Sequence, residues 1–295
     1  MPWIPRGLRD GIVTSGYPRR PDGYGEGYRG TIIVHRVGEA GTTTRGAQAA
    51  MACPTGAIWS ESGQLSLDRG RCILCGRCAE IYPEAFESSP DFAVSSIRRE
   101  LLVVADLEEA EEPLALTRAR LARRVRALRR SVHVRHVDAG SDGADEWEVA
   151  ALTNPVYDVQ RLGIFFTASP RHADLLLVTG VGTAGMLTPL QQTFEGMPLP
   201  KVVIAAGVDA ISGGLIGRGY AARGGVTELL PVDVVVPGSP PSPFGLLHGI
   251  LLAVGLLSPA RSPSRSPQTP GLYKTGCRHG SRGATPRLSP EKPEP

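Results

Sequence analysis

Four of the five cysteines in this 295-residue chain fall in two short segments, Cys53-Pro54-Thr55 and Cys72-Ile73-Leu74-Cys75-Gly76-Arg77-Cys78. No other feature constrains the first third of the chain as strongly, because the backbone between the segments must fold back if the thiolates are to act together. Three thiolates at C-x-x-C-x-x-C plus a fourth from a separate C-P pair form the ligand set of a cubane. The spacing therefore predicts one 4Fe-4S cluster held by Cys53, Cys72, Cys75 and Cys78. Zinc is the competing metal, since four cysteines can also bind it tetrahedrally. Zinc modules, however, usually come as paired C-x-x-C knuckles, which this run is not.

Bacterial two-cluster ferredoxins repeat the pattern, and the ligands of a companion cluster would fall ten, seven and four residues before Cys53 and four after Cys78. Those positions are Thr43, Gly46, Ala49 and Tyr82, with Pro83 still following Tyr82. One site keeps all four ligands and the other loses all four, so a ferredoxin-type α+β domain with one cluster is expected over residues 1–105. Ser60 to Gln64 should turn a short hairpin between the two cysteine segments.

Length and charge bound the rest. The chain is too long for a ferredoxin alone and suits two modest domains. Its formal charge of +3 misleads: the tail from Ser258 carries seven Arg and Lys against Glu291 and Glu294, leaving the other 257 residues near −2. A basic nucleic-acid face is not indicated. The first residues hold no apolar stretch of the signal-peptide kind. The longest apolar run, Gly245 to Leu257 broken by His248, is shorter than the roughly 20 residues of a membrane span. A cytoplasmic protein with reduced cysteines and no transmembrane segment is expected.

Residues 106–131 read as an amphipathic linker helix. Acids at 108, 109, 111 and 112 precede arginines at 118 to 130, and Leu114, Thr117, Leu121, Val125 and Leu128 make one stripe. From Val132 the pattern changes to short apolar runs at 132–134, 163–166, 174–178, 201–204 and 232–236, alternating with helical or loop stretches. Buried strands with crossovers indicate a mainly parallel α/β sheet. Residues 258–295, rich in Pro, Ser and Arg, cannot build a core and should be disordered. Cys277, near His279, reads as an unpaired surface thiol. Gly180-Val181-Gly182-Thr183-Ala184-Gly185 matches G-x-G-x-x-G, yet two candidate strands precede it, whereas a dinucleotide fingerprint follows the first strand of its domain. His133, His136, His172 and His248 form no catalytic constellation with a nucleophile.

Several long motifs then occur in order: Asp138-Ala139-Gly140-Ser141, Ala151 to Asp158 (ALTNPVYD), Ser169 to Asp174 (SPRHAD), Ala210-Ile211-Ser212-Gly213-Gly214 and Pro231 to Gly238 (PVDVVVPG). Over residues 132–257 the chain resembles the small subunit of energy-converting, formate-hydrogenlyase-type nickel-iron hydrogenases and the homologous terminal-cluster subunit of complex I. Gly7-Leu8-Arg9-Asp10-Gly11 and Tyr28-Arg29-Gly30 are similar to the ferredoxin subunit of the same complexes. The resemblance implies two neighbouring electron-transfer subunits fused into one, with a flavodoxin-like three-layer second domain. It also implies a large catalytic-type subunit and membrane subunits as partners, and a peripheral place on the cytoplasmic face of the membrane.

In that family the small subunit binds a 4Fe-4S cluster through four cysteines. The matching positions here read Asp142, Asp145, Asp209 and Ser239, so the resemblance implies a lost cluster. What remains is either a vacated cavity or a hard-oxygen set suited to a divalent cation such as Mg, Ca or Mn. Three converging acids without a cation would raise one another's pKa. Glu146 matches a family glutamate near the catalytic metal. The implied function is an iron–sulfur electron-transfer subunit that is not catalytic alone, and the contrasting reading is a non-redox scaffold whose cluster is structural.

Overall fold

All five expected strand runs of the second half form one parallel sheet. In the computed structural model, β6 (Val132–Asp138), β7 (Ile164–Phe166), β8 (Leu175–Thr179), β9 (Val202–Ala206) and β10 (Val234–Val236) pair in the order β10-β9-β8-β6-β7. Each neighbouring pair runs parallel. This is the flavodoxin-like strand order, whose direction reverses between the first and third strands. The described residues are 3–19, 28–35, 44–61, 64–104, 119, 121, 123, 125 and 131–257. The expected disordered tail, Cys277 and most of the expected linker helix lie outside them. Of that helix, Ala119, Leu121 and Arg123 are helical, and Leu121 and Val125 are buried in the main core as the stripe predicts.

The central strands read LLLVT and VVIAA because both faces are covered, so no polar alternation is tolerated. β6 extends beyond the expected Val132–Val134 to Asp138; Val132 and Val134 are buried in one core cluster, Val137 in the other, and Arg135 and His136 are half-buried between them. The apolar alternation ends at Val134, and pairing of 134–138 with β8 carries the strand on.

The apolar run after Ser242 is a core helix. α7 (Pro243–Ala253) is buried along all eleven residues, with Pro243 in its first turn and Ser242 Oγ accepting from the Gly245 N–H at 3.2 Å. Gly249 is required there, since a Cβ would stand 2.3 Å from Val236 Cγ2 on the sheet. Among the described residues no helix is long and apolar enough to cross a membrane.

The first third opens with α1 (Trp3–Asp10) and builds two small antiparallel sheets. β1 (Thr31–Val34) pairs with β4 (Phe86–Ser89), and the hairpin β2 (Ile58–Glu61) and β3 (Gln64–Asp68) is extended by β5 (Val103–Val104). α2 (Arg45–Ala52) and α3 (Arg77–Ile81) lie between these strands in sequence. Their shared core holds Ile32, Ala49, Leu67, Cys78, Tyr82 and Phe86. Three of the four positions where the ferredoxin pattern would put a companion cluster's ligands are occupied by packing. Ala49 and Tyr82 are buried, and a Cβ on Gly46 would meet Leu65 Cδ2 at 2.9 Å; Thr43 lies outside the described residues.

The two halves pack tightly. Ser96 forms an antiparallel bridge with Val235, its N–H donating at 2.9 Å and its C=O accepting at 2.8 Å, so the first half covers the β10 edge of the sheet. Phe92 stacks on Phe244 at 5.1 Å between ring centroids, and Tyr17 and Tyr157 meet Phe244 edge-on at 5.7 and 5.0 Å. These contacts join the halves through a shared core, to which Leu121 and Val125 of the linker stretch also belong.

Candidate functional site: a four-cysteine pocket beside an acidic switch point

The four cysteines of the sequence pattern surround one pocket. Cys53 caps α2, Cys72 and Cys75 sit in the loop after β3, and Cys78 lies in α3; all four line the same space, with Ile32, Ile58 and Leu67 as its apolar wall. The loop needs two left-handed residues, Leu74 at φ 57° and Gly76 at φ 81°. For leucine that conformation is strained, and it occurs where Arg29 Nη1 donates to the Leu74 carbonyl at 3.0 Å. Gly76 leaves room for the same guanidinium, which a Cβ would approach to 2.6 Å.

The electrostatics of this pocket make bare thiolates costly. Burial pushes the Cys72 thiol up to about 12, with Cys78, Cys53 and Cys75 adding to the rise and the Leu74 N–H partly opposing it. Cys78 is raised mainly by burial, and the Ala79 N–H opposes the rise. Cys53 Sγ accepts from the Ala57 N–H at 3.2 Å. A metal supplies the positive charge that deprotonated sulfur needs in such a place.

Among the described residues no three Cys, His, Asp or Glu side chains are gathered as a site for a metal ion. Zn²⁺ requires all four thiolates about 2.3 Å from one centre. A cubane holds its ligands apart on four separate irons, and four thiols ringing one pocket, with an N–H directed at Cys53 sulfur, fit such a group. The same absence of a gathered group applies to the acids considered below, so the geometry gives the hard-cation expectation no support.

The loop carrying the cysteines rests on Asp68, a residue that motif spacing did not single out. Its carboxylate is buried, takes both terminal nitrogens of Arg99 at 2.7 and 2.5 Å, and accepts from the Gly70 N–H at 2.8 Å. The Asp68-Arg69-Gly70 sequence just before Cys72 is the available signal, since an Asx turn followed by glycine marks a tight reversal. Asp68→Asn is expected to destabilise the protein by roughly 3 kcal/mol, because it leaves Arg99 facing a neutral amide inside the fold. A urea midpoint unchanged from the parent chain would refute this role.

The second site lies at the carboxyl ends of β6 and β8, where the strand order reverses and open α/β sheets place their ligands. Asp138 ends β6 and accepts from the N–H groups of Gly140 and Ser141 at 2.7 and 2.8 Å. α4 (Ala144–Ala151) follows, with Asp142 Oδ1 accepting from the Ala144 N–H at 2.9 Å. Glu146 receives the hydroxyls of Ser141 and Thr179, and Thr179 Oγ1 lies 3.0 Å from His136 Nε2. His136 is held below its ordinary pKa by burial, which outweighs the nearby Glu146. The G-x-G-x-x-G match lies in the loop between β8 and α5 (Leu187–Glu195), and its Gly180 and Gly182 serve close backbone approaches. Both have positive φ, Gly180 passes against the Gly140–Ser141 backbone, and Gly182 passes against the Gly225 carbonyl.

Three of the four positions that the family resemblance singles out, Asp142, Asp145 and Asp209, come together here. Asp142 is exposed, Asp145 is buried at 5% exposure, and Asp209, in α6 (Val208–Ser212), is half-buried. The Asp145 carboxyl is pushed up to about 8, first by burial and then by Asp209, Glu146, Asp142 and Asp138. Asp209 is raised by burial and then by Asp142 and Glu146. Ser239 is exposed and follows Gly238, whose carbonyl accepts from the Val208 N–H at 2.9 Å.

Residues 143–253 match the family described as NADH ubiquinone oxidoreductase, 20 Kd subunit. A probable membrane-bound hydrogenase subunit, mbhJ, of Pyrococcus furiosus is 39% identical over 139 residues, covering 47% of this chain and 83% of the relative. The chain belongs to this family. Formate hydrogenlyase subunit 7 of Escherichia coli is another member, 37% identical over 163 residues, covering 54% of this chain and 63% of that protein. An NADH-quinone oxidoreductase subunit of Geotalea daltonii is 46% identical over 104 residues, covering 35% of this chain and 61% of the relative. The chain thus spans somewhat under two thirds of the length of these last two. The family match begins at Gly143, so it takes in the acidic positions Asp145 and Asp209 and leaves the four cysteines outside.

Proposed function

We propose that this chain is an iron–sulfur electron-transfer subunit of a membrane-associated, hydrogenase-like or NADH:quinone oxidoreductase-like assembly. Residues 1–105 are a ferredoxin-type domain with one 4Fe-4S cluster on Cys53, Cys72, Cys75 and Cys78. Residues 106–131 link it to the small-subunit α/β domain of residues 132–257, so that two electron-transfer subunits are fused. The observation that carries the proposal is the convergence of the four thiols on one pocket, with backbone N–H groups aimed at sulfur. When bound, the cluster supplies one-electron transfer; the chain's part is to hold it on four thiolates and shield it with Ile32, Ile58 and Leu67.

The α/β domain docks a large, catalytic-type subunit, and the assembly holds the chain on the cytoplasmic face of the membrane through partner subunits. Exposed Trp147, Leu215, Ile216 and Tyr220 on and around the acidic end of the sheet suit such a contact. Asp142, Asp145, Asp209 and Ser239 replace the terminal cluster's ligands, and a carboxylate and hydroxyl set does not suit iron–sulfur chemistry.

Iron and acid-labile sulfide analysis of anaerobically purified protein, with EPR before and after dithionite, tests the proposal. About four irons and a reducible signal are expected for a single cubane. Iron and sulfide without reversible reduction would favour the scaffold reading, and zinc without sulfide would overturn the cluster.

A further inference from the structure

Asp145 is an anomaly that the electron-transfer reading does not use. Its Oδ2 is buried and has no hydrogen-bond partner. The carboxyl sits over the Cα of Gly207, where a Cβ would come within 2.4 Å of Oδ2. Two residues on, Asp209 is seated on Gly214, whose added Cβ would overlap Asp209 Oδ1. The charged groups that face Asp145 are Asp209 from α6, Glu146 from its own helix, Asp142 from the preceding loop and Asp138 from the end of β6, all acidic. Glu146 is already engaged by two hydroxyls, and burial holds His136 below its ordinary pKa against the pull of Glu146. An unpartnered buried carboxyl among acids is stable only when it holds a proton or meets a cation.

The Gly207 backbone under this carboxyl is tied by hydrogen bonds to the segment that reaches Cys72. The Gly207 N–H donates to the Val236 carbonyl at 2.9 Å, and the Val208 N–H to the Gly238 carbonyl at 2.9 Å. On the far side of that segment, Pro237 and Gly238 line a small cavity together with Cys72 and Leu74. Ser212 Oγ, at the end of α6, donates to the Gly70 carbonyl at 2.8 Å, two residues before Cys72. Packed backbone joins the two sites along this path, so a charge change at one is weakly screened at the other.

We infer that reduction of the cluster is coupled to protonation of the Asp145 carboxyl, with Asp209 as its closest acidic neighbour and the exposed Asp142 marking the way to solvent. The inference rests on the cluster reading above. One electron from a low-potential one-electron donor enters the oxidised cluster. The added negative charge raises the proton affinity of the Asp145 carboxylate, and one solvent proton forms an O–H bond on it. Reduced cluster and neutral carboxyl result, and no other bond forms or breaks. The carboxyl is poised for this role because its pKa, near 8, lies where modest changes in field alter its occupancy.

The test is an anaerobic redox titration of the full chain, followed by EPR between about pH 6.5 and 9.5, beside Asp145→Asn. Full coupling of one proton to one electron moves the midpoint by about 59 mV per tenfold change in proton activity. The parent chain's midpoint is expected to fall with rising pH above about pH 8, and Asp145→Asn should at least halve that slope with iron and sulfide unchanged. A reduced-minus-oxidised infrared difference spectrum should gain a protonated-carboxyl band that the variant lacks. A pH-independent midpoint in the parent, or equal slopes in both chains, would overturn the coupling. Missing iron and sulfide would instead defeat the cluster reading, and the inference with it, and elemental analysis identifies that case.

Discussion

A Cys75→Ala chain is expected to purify without its reducible cluster and to melt well below the parent protein. Cys75 is the exposed member of the four, so its side chain contributes little packing of its own and its loss reports on ligation. A cofactor present at a thousand times its dissociation constant contributes about 4 kcal/mol to the folded state. At 2–4 °C per kcal/mol, that corresponds to a melting temperature lower by roughly 8–16 °C. Cys277→Ala, outside the described residues, should change neither quantity. Iron, sulfide and thermal melting measured side by side on the two variants decide the matter. A Cys75→Ala protein that keeps four irons and its melting temperature would remove Cys75 from the ligand set.

The second large effect has the opposite sign: Asp145→Asn should make the protein more stable near neutral pH. An aspartate in an unfolded chain titrates near 3.9, and this one titrates near 8 when folded. Between those values the folded state binds more protons than the unfolded state, so stability falls as pH rises through that window. The penalty is absent below about pH 4 and complete above about pH 8. Asparagine cannot ionise and removes this dependence. With relaxation around the charge allowed for, the gain at pH 7 is roughly 2 kcal/mol, or about 4–8 °C in melting temperature. Thermal melts of both chains at pH 5 and pH 8 provide the check, with the difference expected to widen at pH 8. A variant less stable than the parent at pH 8 would mean that Asp145 is charged and satisfied, as a bound cation would make it.

Both effects start from residues that the sequence pattern singles out. That Cys53 and the C-x-x-C-x-x-C run share one pocket is legible because the spacing of a short loop is a local property. Three strand runs of the second half are legible for a similar reason: a strand covered on both faces must be almost continuously apolar, as Leu175–Val178, Val202–Ala206 and Val234–Val236 are. β6 runs longer than its apolar stretch suggests because Arg135 and His136 interrupt that stretch, while pairing with β8 holds the strand as far as Asp138. The Gly245–Leu257 run shows the limit of composition. Its length is too short for a membrane span, but only burial on every side by β9, β10, Ser95 and Phe92 explains why so apolar a helix is needed.

Other features depend on chain segments far apart in sequence. Asp68 holds Arg99 across 31 positions, and Phe244 gathers Tyr17, Phe92 and Tyr157 from three separate regions. The motif pattern singles out Asp142, Asp145 and Asp209 together, yet their chemistry differs with position. Asp142 is solvated, Asp209 is half-covered, and Asp145 is buried without a partner. Residue identity set which groups can bind metal or protons. Tertiary packing set the cost of charge at each, because desolvation and the field of neighbouring acids arise only when β6, α4 and α6 meet at the end of the sheet.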